Sequence, residues 1–142
     1  MTIPSDPWWR DFIAASPPRT AKLATVRPDG RPHVAPVWVV LDGDDLVLTT
    51  GAATVKGTSL RNDPRVSVCF DDERPPFDFV VVEGAAAVSE DPDALREWAT
   101  MIGGRYMGAD HAEEMGERNG QPGELLVRIT PTHVVAGRDV AD

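Results

Sequence analysis

The sequence predicts a mainly β fold, a small six-stranded barrel, closed or split, with short helices at its flanks. Three observations lead to this prediction. Thirteen prolines and twelve glycines in 142 residues imply many chain reversals. Several short segments alternate apolar and polar residues with a period of two. Most of these segments are joined by short turns, so the strands are expected to pair as antiparallel hairpins.

The first half of the chain is predicted to contain one helix followed by three strands. Trp9, Phe12 and Ile13 share one face of the opening helix. The strands are expected over residues 20–27, 33–41 and 46–50, with turns at 28–31 and 42–45. Residues 37–40 are apolar on both faces of their strand, so both faces should be covered. We therefore expect a homodimer.

The second half alternates helices with the remaining strands. Helices are predicted over residues 54–61 and 91–106, and strands over 65–70, 77–88 and 125–135. Gly84 is expected to form a bulge or bend in its strand. Residues 107–123 are acidic and contain glycine, which favours a loop or a frayed helix. The length suits one domain spanning residues 1–142.

Composition excludes several classes of function. The net charge of −9 would repel nucleic acid and anionic membranes, so neither is expected as a partner. No apolar run is long enough to span a bilayer, and residues 1–10 lack the order of a signal peptide. A single cysteine, Cys69, excludes an intrachain disulfide and a cysteine-built metal site. A cytoplasmic location is the resulting expectation.

The segment from Thr49 to Lys56 carries the strongest chemical signal. A strand ends there in two hydroxyl side chains, passes through small residues, and enters a helix with a lysine in its first turn. A helix start offers unpaired N–H groups and a positive dipole potential, so this arrangement suits a phosphate. The alternative interpretation is that Thr54 only caps the helix and Lys56 is solvated.

Other candidate chemistries have little support in the sequence. His33, His111 and His133 are far apart and lack the spacing of metal ligands, so no metal is expected. Ser59 and Ser67 have no base at motif spacing, which leaves nucleophilic catalysis unsupported. No glycine-rich dinucleotide or triphosphate loop is present.

The order and spacing of several short motifs resemble a known family. These motifs are Leu23-Ala24-Thr25-Val26, Asp29-Gly30-Arg31-Pro32, Pro36-Val37-Trp38, Thr49-Thr50, Lys56, residues 60–66 and Val82-Glu83-Gly84. Together they resemble the pyridoxamine-phosphate-oxidase-like superfamily of split β-barrel flavoproteins that bind FMN. Within it they are most similar to the short deazaflavin-dependent oxidoreductases of actinobacterial type, which use coenzyme F420.

The resemblance implies a set of cofactor-binding residues and an assembly. Lys56 would hold the cofactor phosphate, together with Thr49, Thr50, Gly51, Thr54 and Val55. Arg19 and Thr20 would line the same groove, and Pro36, Val37 and Trp38 would flank the deazaflavin or the substrate. Phe77, Phe79 and Val80 would border the cofactor at the interface of a homodimer with two shared sites.

One departure from the family pattern bears on the choice of cofactor. FMN-binding members commonly carry additional basic residues around the phosphate-binding turn, whereas only Lys56 lies between Thr49 and Leu60. A single lysine suits a phosphodiester with one negative charge better than a dianionic phosphomonoester. We therefore expect an F420-dependent reductase that passes a hydride to a small electron-poor acceptor. The alternatives are an FMN-dependent enzyme of the same fold and a protein that binds F420 or flavin without catalysis.

Overall fold

The computed structural model describes residues 2–141, which form a seven-stranded antiparallel sheet and four α-helices. The strands are β1 (Ala21–Val26), β2 (Pro32–Val37), β3 (Val40–Asp42), β4 (Asp45–Gly51), β5 (Arg65–Asp71), β6 (Phe79–Ser89) and β7 (Glu124–Gly137). The helices are α1 (Trp8–Ala14), α2 (Val55–Asn62), α3 (Pro92–Met107) and α4 (Ala112–Asn119). The order across the sheet is β2-β1-β5-β6-β7-β4-β3. The predicted mainly β, split-barrel fold class is confirmed.

The predicted count of six strands is wrong, because the strand expected over residues 33–41 is two strands. It breaks at Trp38 and Val39, and its halves lie at opposite edges of the sheet. The N–H of Val39 is donated to the hydroxyl of Tyr106 at 3.2 Å. A side chain from α3 therefore satisfies this backbone group where the chain crosses from one edge to the other.

Residues 107–123 are more ordered than the expected loop or frayed helix. A short 3-10 turn, Ala109–His111, leads into α4. Glycines let α3 and α4 approach closely: a Cβ on Gly103 would lie 2.2 Å from the Met115 Cβ, and one on Gly116 would lie 1.9 Å from the Thr100 Oγ1. Close packing against α3 stabilises a helix of eight residues, which would be marginal in isolation and contains a glycine.

The core lies on the inner face of the curved sheet. Leu23, Leu48, Val68 and Val82 are fully buried there, and α1 closes one side with Trp9. A smaller apolar cluster covers the outer face of β4 and β7 beneath α3. The bulge expected at Gly84 is confirmed, since the β6–β7 register shifts between Glu83 and Gly84. Within residues 2–141, no helix has the length and apolar character needed to span a membrane.

Candidate functional site

A cleft of about 390 Å³ opens on the outer face of β4 and β7. It contains seven of the residues predicted from the sequence: Pro36, Val37, Trp38, Thr49, Thr50, Gly51 and Lys56. They come from the β2–β3 crossing, the end of β4 and the first turn of α2. Three segments that are separate in sequence thus meet in one concavity.

The start of α2 has the geometry of a tightly built capping turn. Thr54 accepts a hydrogen bond from the Gly57 N–H at 3.1 Å and donates one to the Gly51 carbonyl at 2.7 Å. A Cβ on Gly57 would lie 2.2 Å from that same carbonyl oxygen, so only glycine permits this approach. The capping role considered for Thr54 is therefore present, and the turn holds Lys56 at the edge of the cleft.

Lys56 differs from the chain's other lysine in its surroundings. Lys22 pairs with Asp71 at 2.6 Å, whereas Lys56 forms no ion pair with any residue in the described range 2–141. The first N–H groups of a helix have no partner within it, and the helix dipole adds positive potential there. This end of the cleft can accept an anion.

Trp38 forms an aromatic wall of the cleft, and Tyr106 supports it. The Trp38 ring stacks on the Tyr106 ring, with centroids 5.1 Å apart and planes inclined by 4°. The Tyr106 hydroxyl donates to the Arg19 carbonyl at 2.6 Å and accepts the Val39 N–H at 3.2 Å. Trp38 is therefore held in place by a ring that is itself anchored at two points of the backbone.

Five residues of the cleft were missed by the sequence analysis: Ile102, Met115, Arg118, Asn119 and Glu124. Four of them come from α3 and α4, which pack together over the sheet. Met115, Arg118 and Asn119 stand at positions i, i+3 and i+4, which share one face of a helix. That spacing was the available signal within the segment expected to be a loop or a frayed helix.

Two of the missed residues change the electrostatics of the cleft. Arg118 adds a second cation, and Glu124 adds a carboxylate on the sheet floor opposite Gly51. Burial raises the pKa of Glu124, and the nearby positive charge of Lys56 acts in the opposite direction. Lys56, Arg118 and Glu124 together leave one net positive charge.

The structure places other predicted residues outside this cleft. Arg19 and Thr20 border a separate concavity, where Arg19 donates to the Phe12 carbonyl at 3.0 Å and lies 3.6 Å from Asp72. Thr54 and Val55 border a depression on the other side of α2. Their proposed contacts with a cofactor stay predictions.

The three residues assigned to a dimer interface have different surroundings. Val80 is fully buried in the core, and the Phe79 ring lies directly over Gly137. Phe77 precedes β6 with a φ of 63° and is 43% exposed. Their role at a partner subunit stays a prediction. Among residues 2–141, no group of three or more metal-ligating side chains is placed to hold an ion.

The fold and the cleft define a split antiparallel barrel with a cationic, aromatic-walled cleft on one sheet face. A family model described as pyridoxamine 5'-phosphate oxidase matches residues 6–136. The chain therefore belongs to the pyridoxamine 5'-phosphate oxidase family.

Solved structures show the same fold over nearly the whole chain. A conserved hypothetical protein, Rv2991 from Mycobacterium tuberculosis, is 30% identical with a TM-score of 0.82, covering 97% of this chain and 87% of that one. An F420 reductase is 24% identical with a TM-score of 0.72, covering 94% and 98%. HutZ, a heme storage protein from Vibrio cholerae, is 17% identical with a TM-score of 0.72, covering 95% and 94%. A comparison with curated proteins found no match.

Proposed function

We propose that this chain is an F420-dependent reductase that transfers a hydride from the deazaflavin to a small electron-poor organic molecule. One observation carries the proposal. Lys56, which has no ion-pair partner in the described chain, lies in the first turn of α2 and lines the same cleft as Trp38, whose ring stacks on Tyr106. A phosphate-bearing planar cofactor needs these two features side by side. The structural likeness to an F420 reductase supports the same proposal.

The residues of the cleft fit such a cofactor at both ends. Lys56 would bind the phosphate together with backbone N–H groups in the first turn of α2. The Thr54 side chain accepts a hydrogen bond only from the N–H of Gly57, so the other N–H groups of this turn can donate to an anion. Trp38, Ile102 and Met115 supply apolar surface against which a planar ring can lie. When bound, the reduced deazaflavin supplies the hydride, and these side chains orient it and exclude water.

The assembly and location complete the proposal. A homodimer would place Phe77, Phe79 and Val80 near a partner's cleft, as the family resemblance implies. Conjugated enones, quinones and similar planar molecules are the acceptor class to test first. The cytoplasmic location expected from the sequence belongs to the same proposal. Light scattering at micromolar protein concentration should give twice the mass of the chain, and a monomeric mass would refute the dimer.

Ligand titration tests the cofactor directly. The purified protein is titrated with F420, FMN and FAD while tryptophan fluorescence is followed. We expect F420 to bind most tightly and to quench fluorescence. Trp38→Phe should remove most of the quenching, whereas Trp98→Phe, outside the cleft beside Arg128, should keep it.

Each other outcome of the titration contradicts part of the proposal. Tighter binding of FMN than of F420 would favour the FMN-dependent alternative. Absence of binding by all three ligands would refute both enzyme assignments. Tight F420 binding without turnover of any acceptor in the panel would instead favour a protein that binds F420 without catalysis.

A further inference from the structure

We infer that Glu124 is a specificity-determining residue, whose carboxylate makes the cleft favour singly charged phosphodiesters over doubly charged phosphomonoesters. The inference rests on the proposed function, because it concerns the phosphate that Lys56 would bind. It assigns the choice between the two phosphate classes to one side chain on β7, outside the segment 49–56.

The position of Glu124 brings its charge to the phosphate-binding end of the cleft. Glu124 pairs with Gly51 across β4 and β7, and Gly51 has no side chain to cover it. Alternation along the strands places both residues on the outer face, the same face that carries Val47 and Leu126. The carboxylate is part-buried and lies within the field of Lys56.

The Glu124 carboxylate forms no direct ion pair with a charged side chain in the described part of the chain. Lys56 and Arg118 line the same cleft, and neither forms an ion pair with Glu124 in the described chain. Glu124 also borders a smaller depression that contains Glu90, whose carboxylate pairs with Arg61 at 2.9 Å. An incoming phosphate thus meets two cations and one anion.

The number of charges on the phosphate determines how strongly Glu124 opposes its binding. Coulomb repulsion scales with the product of the charges, so the carboxylate adds twice as much unfavourable binding free energy for a dianion as for a monoanion. The fold-change in affinity for the dianion is therefore the square of that for the monoanion. For unit charges several ångströms apart in a solvent-open cleft, removing the carboxylate should tighten monoanion binding roughly threefold. The dianion should then gain roughly tenfold.

A matched pair of ligands tests the inference. The probes are the methyl phosphodiester of the deazaflavin ribityl chain and the phosphomonoester of the same molecule, at pH 8, where the monoester is a dianion. Dissociation constants are measured by fluorescence for the wild type and for Glu124→Gln, which keeps shape and removes charge. Glu83→Gln makes the same change in net charge on exposed β6 surface outside the cleft and serves as control.

Two further variants separate charge from geometry. Glu124→Asp should keep the wild-type preference, because the charge remains. The double variant Glu124→Gln with Arg118→Gln restores one net positive charge and should return the ratio of the two dissociation constants to near the wild-type value. Thermal unfolding of every variant checks that the fold is retained.

The outcomes distinguish this inference from the proposed function. Equal changes for both ligands in Glu124→Gln, or no change, would overturn the inference while wild-type binding upholds the cofactor proposal. Weaker monoester binding in Glu124→Gln would also overturn it, because the carboxylate would then assist the phosphate. Failure of the wild type to bind either ligand would refute the proposed function and the inference with it.

Discussion

Replacing Tyr106 by phenylalanine tests whether its hydroxyl holds the β2–β3 crossing together. The hydroxyl donates to the Arg19 carbonyl at 2.6 Å and accepts the N–H of Val39, a residue that is 1% exposed. Phenylalanine keeps the ring against Trp38 but leaves both backbone groups without this partner. A buried polar group that loses its hydrogen bond costs about 1–3 kcal/mol, so we expect a loss of about 2 kcal/mol.

The expected shift in melting temperature follows from the size of the chain. An unfolding entropy of about 2.1 cal/mol/K per residue gives about 0.3 kcal/mol/K for a chain of this length. A loss of about 2 kcal/mol then lowers the melting temperature by roughly 7 °C. Differential scanning calorimetry at one fixed protein concentration measures the shift, since dimerisation would make stability concentration-dependent.

The control and the refuting result use the same assay. Thr132→Val also removes a hydroxyl, one that donates to the Glu83 carbonyl at 3.3 Å on an exposed surface. Its effect should stay within about 0.5 kcal/mol, as for other exposed substitutions. If Tyr106→Phe shifts the melting temperature no more than Thr132→Val, the crossing is not held by this hydroxyl.

Three other perturbations test the cleft, the helix packing and one surface carboxylate. Lys56→Ala should weaken F420 binding by about 1.5–3 kcal/mol in a fluorescence titration, and Lys22→Ala should not. Gly116→Ala should lower the free energy of unfolding by about 1–3 kcal/mol, because its Cβ would lie 1.9 Å from the Thr100 Oγ1. Urea unfolding measures the change, and an unchanged midpoint would refute this packing. Hydrogen bonds from the arginine two residues further on hold the pKa of Asp63 at about 2, below its ordinary 3.8. The part of the stability difference between wild type and Asp63→Asn that depends on this charge should therefore be present well above pH 4 and be lost as the pH falls through 2. A difference that does not change with pH would contradict this linkage.

Local signals were sufficient to predict most strands from the sequence. Alternation and turn residues act over a few positions, so β1, β4 and β5 were expected within a residue or two of their observed bounds. The break at Trp38 and Val39 could not be predicted in this way. It depends on a hydroxyl 67 residues further along the chain, and strand propensity alone favours continuation.

The helix α4 shows the same limit for a different reason. It has only eight residues and contains Gly116, so by itself it would be a marginal helix although its glutamates are good helix formers. The helix forms where the missing side chains of Gly103 and Gly116 let it lie against α3. Glycine is unfavourable within an isolated helix but favourable at this contact, and only the tertiary structure reveals which effect is larger.

The electrostatic character of the cleft follows from tertiary structure rather than from one segment. The sequence analysis preferred a singly charged phosphate because Lys56 is the only basic residue between Thr49 and Leu60. Arg118 by itself would reverse that preference, since a second cation suits a dianion. Under the inference drawn above, Glu124 would restore it, because its carboxylate would offset one of the two cations. The preference for a singly charged phosphate stays a prediction, and the inference attributes it to a carboxylate on β7 rather than to the scarcity of lysines.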